Sequence, residues 1–199
     1  MEENLQQVVN NLKTFKGNVK GEAVIADIKY IKFKEGEEGL KKVEEKMKEL
    51  GVSINLDDIK PFSWISEGIS AIIIIVAKEI FNWTEKDVFE MGKTAPKISF
   101  IVKLMIRHFF SFEMLIQNIN KYWQKHYDFG SLNPELPLEE NKITLKEEGY
   151  NLHPLLCIYH AGYYQAICEF ALKDKNITIK ETACVHRGED YNEYTIEWN

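Results

Sequence analysis

The chain has 199 residues, 45% hydrophobic and 12% aromatic, which suffices for one domain with a sizeable core. Its net charge is −6 and only Arg107 and Arg187 among its 25 basic residues are arginine, so the basic face that reads nucleic acid is missing. The most apolar run, ISAIIIIVA at 69–77, has nine residues where a membrane-spanning helix needs about 20, so no insertion into a membrane is expected.

Residues 3–16 set Leu5, Val8, Val9, Leu12 and Phe15 at helical spacing, and a segment with Gly17 and Gly21 at its ends follows. Residues 1–19 are therefore expected to be an amphipathic helix that contacts a second copy in a homodimer, set apart from a single domain over 20–199. The start MEENLQQVVNNLK is acidic where a signal peptide is basic, and three cysteines without a regular framework suit a reducing compartment. A cytoplasmic protein is the expectation. A helix over 22–34 should turn Val24, Ile25, Ile28, Ile31 and Phe33 inward. Leu40, Val43, Met47 and Leu50 mark the next helix, with Gly51 as its stop. Pro61 precedes a largely buried helix over 63–82. Thr84 then caps a helix, Asp87 supports its first turn, and Pro96 should end it. Residues 98–127 read as two helices divided near Phe110 and Ser111.

The character changes at Asp128. Short alternating runs with prolines and glycines point to strands and turns over 129–149. A helix over 154–172 opens on Pro154, and ITIKETACVHRGEDYNEYTIEW reads as a hairpin turning at 187–190. The order predicts an α+β fold: a helical part, then a four-stranded antiparallel sheet with one long helix inserted, β-β-α-β-β.

The inserted helix carries the chemistry. At about 100° per residue, His153, Cys157, His160, Tyr164 and Cys168 fall in one narrow stripe. The stripe lines a pocket, takes part in a metal or haem site, or is ordinary structure, with His153 as an N-cap, the cysteines as small core residues, and His160 and Tyr164 in local hydrogen bonds. It is not a three-ligand metal site by itself, because residues seven apart lie about 10 Å apart along the axis. Only the pairs His153–Cys157 and Cys157–His160 are near enough to share an ion. No phosphate loop, Ser–His–Asp order or metalloprotease spacing is present. Cys157 with His160 lacks an oxyanion hole of its own, so an enzyme is not expected.

The segments VKGEAVIADIKYIKFKEG, KYWQKHYDFGSL, HPLLC…G and ETACVHRGEDYNEYTIEW resemble an uncharacterised family of myxobacterial paralogues. The resemblance covers about residues 18–198 and extends to the superfamily of 4-vinyl reductase domains, haem nitric-oxide-binding domains and TRAPP tethering subunits. It implies the nitric-oxide-signalling and Golgi-transport ligand-binding fold. It further implies a sensory input domain for a small, mostly apolar molecule, at the front of a chemoreceptor or regulator. Trp64, Phe100, Leu104, Phe109 and Trp123 are then candidate pocket walls, with His153, Cys157, His160 and Tyr164 as the helix's contribution. The tethering subunits imply an alternative, a ligand-free dimerisation or scaffolding module. The haem-binding relatives place their iron ligand near Asn120 and carry a Tyr-x-Ser-x-Arg signature that is absent here; His126 follows almost two turns later. No cofactor motif is intact on this reading. Phenol-sensing relatives hold zinc through a helix cysteine and a Glu-x-x-Cys…Cys group. Glu181 and Cys184 match the Glu-x-x-Cys spacing, Cys157 or His153 stands for the helix ligand, and Asn192 replaces the last cysteine; a zinc site would then be Cys157, Glu181 and Cys184.

Overall fold

The computed structural model describes residues 4–99, 102, 111–135, 141–173 and 175–199. Helix α1 (Leu5–Leu12) is capped by Asn4, whose side chain accepts from the Gln6 N–H. Val8, Val9 and Leu12 are buried in the chain's own core. A contact between copies would therefore have to use the other face of α1.

Two short strands were not expected. β1 (Asn18–Lys20) pairs antiparallel with β2 (Trp64–Ser66), and helix α3 (Glu67–Ile80) begins only after it. The helix expected from residue 63 thus starts four residues late. Aromatic and β-branched residues such as Trp64 and Ile65 suit a strand, and here a partner strand is at hand. Trp64 is 46% exposed under the Lys20 ammonium, 3.6 Å from the ring centre, so it is not a pocket wall.

The two helices expected over 22–50 are both present, running on without a loop as α2 (Gly21–Glu49) but kinked at Gly36, where φ of 76° and ψ of 179° are non-helical. Val24, Ile28 and Ile31 are buried as one stripe, whereas Phe33 is 86% exposed. Phe33 lies two residues, about 200°, beyond Ile31 and so faces away. At the end of α2, Gly51 takes φ 79°. The Val52 N–H reaches the Met47 carbonyl and the Gly51 N–H that of Lys48, a Schellman close.

Helix α4 (Glu85–Ile98) opens with a capping box between Thr84 and Asp87. It runs past Pro96 rather than stopping before it. Proline there removes one backbone bond in the last turn only. Ser111 caps α5 (Phe112–Gln117), and α6 (Ile119–His126) follows after Asn118. Strands β3 (Ser131–Pro134) and β4 (Lys142–Glu148), helix α7 (Pro154–Ala171), and strands β5 (Ile177–Ala183) and β6 (Asn192–Trp198) complete the chain. The four strands form an antiparallel sheet in the order β3-β4-β6-β5. The last connection is longer than a tight turn: a 3₁₀ turn (Val185–Arg187) and Gly188, at φ 95°, carry it.

Alternation places Ile143, Leu145 and Glu147 of β4 on the sheet's inner face, opposite Ile196, Tyr194 and Asn192 of β6. Helix α7 lies on that face and α4 packs against α7. Two glycines permit their approach. A Cβ on Gly92 would stand 1.9 Å from the Tyr159 carbonyl oxygen, and one on Gly162 would stand 2.1 Å from that of Phe89. The linker before the sheet is clamped by Asp128, which accepts from both the backbone N–H and the side-chain amide of Asn18 at 2.6 Å. Among the described residues, no helix is long and apolar enough to cross a membrane.

Gly92→Ala tests this close approach. Alanine favours a helix by about 1 kcal/mol over glycine, but the added methyl meets backbone and forces the helices apart. The variant should be less stable by about 2 kcal/mol or more, read as a lower urea midpoint at an unchanged slope.

Candidate functional site

An apolar cavity of about 100 Å³ lies between the helical part and the sheet. A buried water needs roughly 10–15 Å³ of such space, so the cavity has room for several waters or one small molecule. Leu132 and Leu145 form its sheet side. Helix α7 contributes Tyr159, His160, Tyr163, Tyr164, Ile167 and Cys168; α5 and α6 contribute Leu115, Ile116, Ile119, Tyr122, Trp123 and His126. Tyr127 closes the space from the end of α6, stacked on Trp123 with ring centres 4.3 Å apart. Glu22, Ala23 and Ala26 of α2 and Ala95 of α4 also line it, with Ser99 and Val102, among the described residues.

In and behind the cavity wall are four buried carboxyls. Both oxygens of Glu147, a fully buried residue, lie 3.0–3.1 Å from His160 Nδ1, and the Tyr164 hydroxyl donates to Oε2 at 2.9 Å. Tyr159 hydrogen-bonds Asp27 at 2.7 Å, Tyr150 hydrogen-bonds Glu67, and Ser99 donates to Glu22 at 2.6 Å. Among the described residues, the buried acidic and basic side chains are these four carboxyls and His160, with no lysine or arginine. Burial pushes the Asp27 carboxyl from an ordinary 3.8 up to about 8, opposed by the Tyr159 hydrogen bond. Burial likewise raises Glu67 from 4.5 to about 7. The phenols of Tyr150, Tyr159 and Tyr164 are raised well above their usual range by burial and the neighbouring carboxyls. Each is a hydrogen-bond donor at neutral pH.

The stripe on α7 divides between two places. His160, Tyr164 and Cys168 line the cavity. His153 is the N-cap of α7, accepting from the Leu155 N–H at 3.2 Å. Cys157 turns to the hairpin, where its Sγ lies 4.0 Å from Cys184 Sγ and 3.8 Å from Asn192 Oδ1. Of the expected aromatic walls, Trp123 lines the cavity and Trp64 does not, while Phe100, Leu104 and Phe109 lie outside the described residues. The carboxyls were missed, although two of them announce themselves by phase. Asp27 sits within the buried stripe Val24–Ile28–Ile31, and Glu147 keeps the inward beat of Ile143 and Leu145.

The ligand atoms of Cys157, Glu181 and Cys184 all lie within 4.8 Å of one another. One Glu181 oxygen pairs with Arg187 at 2.6 Å, and the other is buried without a hydrogen-bond partner. Burial, with Glu147 and Cys184 nearby, raises the Cys157 thiol far above its ordinary range, and burial pushes Cys168 up to about 12. Asn192 occupies the fourth side: its Oδ1 accepts from the Val185 N–H at 3.0 Å and its Nδ2 donates to the Tyr150 carbonyl at 2.9 Å.

This arrangement of helices over a four-stranded antiparallel sheet is the fold of the H-NOX domains. An H-NOX protein from S. oneidensis, solved in the Fe(II)NO ligation state, superposes with a TM-score of 0.71 at 17% identity, over 90% of this chain and 99% of its own. An oxygen-binding H-NOX domain related to soluble guanylate cyclases, solved as its oxygen complex, gives 0.65 at 16% identity, over 90% and 95%. A mutant of the T. tengcongensis H-NOX protein gives 0.66 at 15%, over 90% and 97%. At these identities the likeness establishes the fold alone. No protein-family model and no curated protein matches the sequence.

Asp27 and Glu67 hold their protons to higher pH when folded than when unfolded. Between about pH 4 and about pH 8 the folded chain therefore binds more protons, and stability falls as pH rises through that window. Thermal midpoints measured from about pH 5 to about pH 8 should decline, and Asp27→Asn and Glu67→Gln should each flatten the decline.

Proposed function

We propose that the domain is a cytoplasmic sensory input module that binds a small, mostly apolar molecule in the α2–α6–α7 cavity and signals to a partner or fused output domain, such as a chemoreceptor or regulator. The observation that carries this reading is the cavity itself: an apolar, aromatic-walled space at the seam between helices and sheet. The H-NOX neighbours, whose structures are described by their nitric-oxide and oxygen ligation, support a sensing role for the fold. The alternative of a ligand-free dimerisation module has less support, because the apolar stripe of α1 is buried within its own chain. The reading is also of a binding domain rather than an enzyme, since Cys157 and Cys168 are buried and held as thiols.

Haem, which the fold brings to mind, does not suit these residues. His126 and His160 line the cavity and present imidazole, but no lysine or arginine lines it among the described residues, while Glu22 does. The two carboxylates of a haem would meet an acidic surround, and the Tyr-x-Ser-x-Arg signature is absent. Expression with added haem should give no stoichiometric Soret band. A stoichiometric band lost on replacing His126 or His160 would overturn this part of the reading.

A second, separate reading concerns the hairpin. Cys157, Glu181 and Cys184 would hold zinc with a water as fourth ligand, as the resemblance to phenol-sensing relatives implies. Binding would require both thiols to lose their protons to the metal. Stoichiometric zinc by elemental analysis, and a cobalt–thiolate band abolished by Cys184→Ser, are the expected results; metal-free protein with unchanged stability in added zinc would exclude the site.

The cavity is tested by filling it. Native mass spectrometry of the purified protein should show a co-purified small molecule, or uptake of an added apolar probe such as xenon. Ala26→Leu should abolish that uptake while the chain stays folded. Retained uptake in this variant would place the ligand elsewhere.

A further inference from the structure

The cavity has two features that a store for a plain hydrocarbon does not need. The first is its rings. Trp123 on α6, Tyr127 just after it, and Tyr159, Tyr163 and Tyr164 on α7 all line the space. Trp123 and Tyr127 are stacked, whereas the planes of Tyr163 and Tyr164 stand at 90°, so the ring faces look in several directions. The second is acid of one sign. Glu22 lines the cavity, and Asp27, Glu67 and Glu147 are buried behind it. Among the described residues no lysine or arginine lines it and none is buried. The carboxyls reach the space from more than one side. Burial raises the Tyr127 phenol, and Glu67, Tyr163, Glu147 and Asp27 raise it further; burial raises Tyr163, with Glu22 and Asp27 adding to it.

We propose that the ligand of the cavity is a small organic cation with an apolar shell, a methylated ammonium, held by the faces of these rings and by the charge of Glu22 and Asp27. This rests on the cavity being the ligand site, as proposed above, and names the class of molecule it takes. The π face of an aromatic ring is negative and attracts a cation laid on it. A quaternary ammonium suits such walls because it carries no N–H. A primary ammonium would bring three donors, and the hydroxyls of Tyr159 and Tyr164 are already given to Asp27 and Glu147. The cation also changes its surroundings. Asp27 and Glu67 hold their protons up to about pH 8 and about pH 7, and a positive charge beside them favours the ionised forms. Binding near neutral pH therefore expels protons, and affinity rises from about pH 5 to about pH 8.

The test compares three probes of one shape on the whole chain: choline, its neutral carbon counterpart 3,3-dimethyl-1-butanol, and 3,3-dimethylbutanoate. Calorimetry in buffers of different ionisation enthalpy reads affinity and proton release together, and NMR reads the choline methyl resonance. Choline should bind about tenfold more tightly than the alcohol, release a fraction of a proton at pH 7, and show its methyls shifted upfield by the rings. The butanoate should not bind. Glu22→Gln and Asp27→Asn should each weaken choline several-fold and leave the alcohol unchanged. His126 and His160 also line the space and would shed protons in the same direction, so Asp27→Asn, which keeps an acceptor for the Tyr159 hydroxyl, assigns the proton release. If either variant fails to fold, the comparison of choline with the alcohol on the unaltered chain decides alone. Alcohol or butanoate binding as tightly as choline would overturn the inference, as would choline binding without the upfield shift. Xenon uptake with no choline binding would overturn it and leave the cavity reading intact; loss of both would remove the two together.

Discussion

Glu147 is fully buried in the middle of the domain, and much of the architecture is the answer to how that carboxylate is satisfied. It points inward because it keeps the phase of Ile143 and Leu145 along β4. A carboxylate in such a place is tolerated only with close partners, and leaving one unpaired costs about 3–5 kcal/mol. His160 and Tyr164, one helical turn apart on α7, supply them. Those contacts fix the rotation of α7 over the sheet. With that rotation set, Tyr159 faces Asp27 on α2, Gly162 faces α4, and Cys157 faces the hairpin.

The same rotation explains how an apolar space can stand beside four carboxyls. Asp27 and Glu67 keep their protons near neutral pH because burial makes the charged forms expensive. Tyrosine hydroxyls then meet one oxygen each of Asp27, Glu67 and Glu147, which engages those atoms in the wall and leaves Glu67 Oε2 buried without a hydrogen-bond partner. The cavity surface is left mostly to rings and aliphatic groups, with Glu22 and Ser99 among its polar members. Its character is thus set by the layer behind it, which absorbs the polarity.

Sequence periodicity made most of the frame legible. The Thr84 box, the Gly51 stop and the order of strands and helix after Asp128 are local signals, and local signals survive in a single sequence. The β1–β2 pair was not legible, because three-residue strands that far apart in the chain carry no pattern of their own. Trp64 went wrong for the same reason: read as part of a buried helix, it became a wall residue. On α7 the stripe was visible but its division was not. A stripe some tens of degrees wide can straddle two neighbours, and here Cys157 goes to one and His160 to the other. The buried acids were present in the pattern, yet acidic residues are ordinarily solvated, so nothing prompted weighing Asp27 or Glu147 as interior groups.

The backbone contact of α4 with α7 has a consequence for how this domain can change. At Gly92 and Gly162 the helices meet main chain to main chain, with no side chain between them to trim or enlarge. That flank is a fixed jaw. The opposite flank, formed by Ile119, Tyr122, Trp123 and His126 of α6, is built from side chains that can be exchanged one at a time. New selectivities, whether drifting in nature or introduced in the laboratory, would therefore be written in the side chains of α6 and of the cavity-facing side of α7, against an unchanging α4–α7 backbone contact.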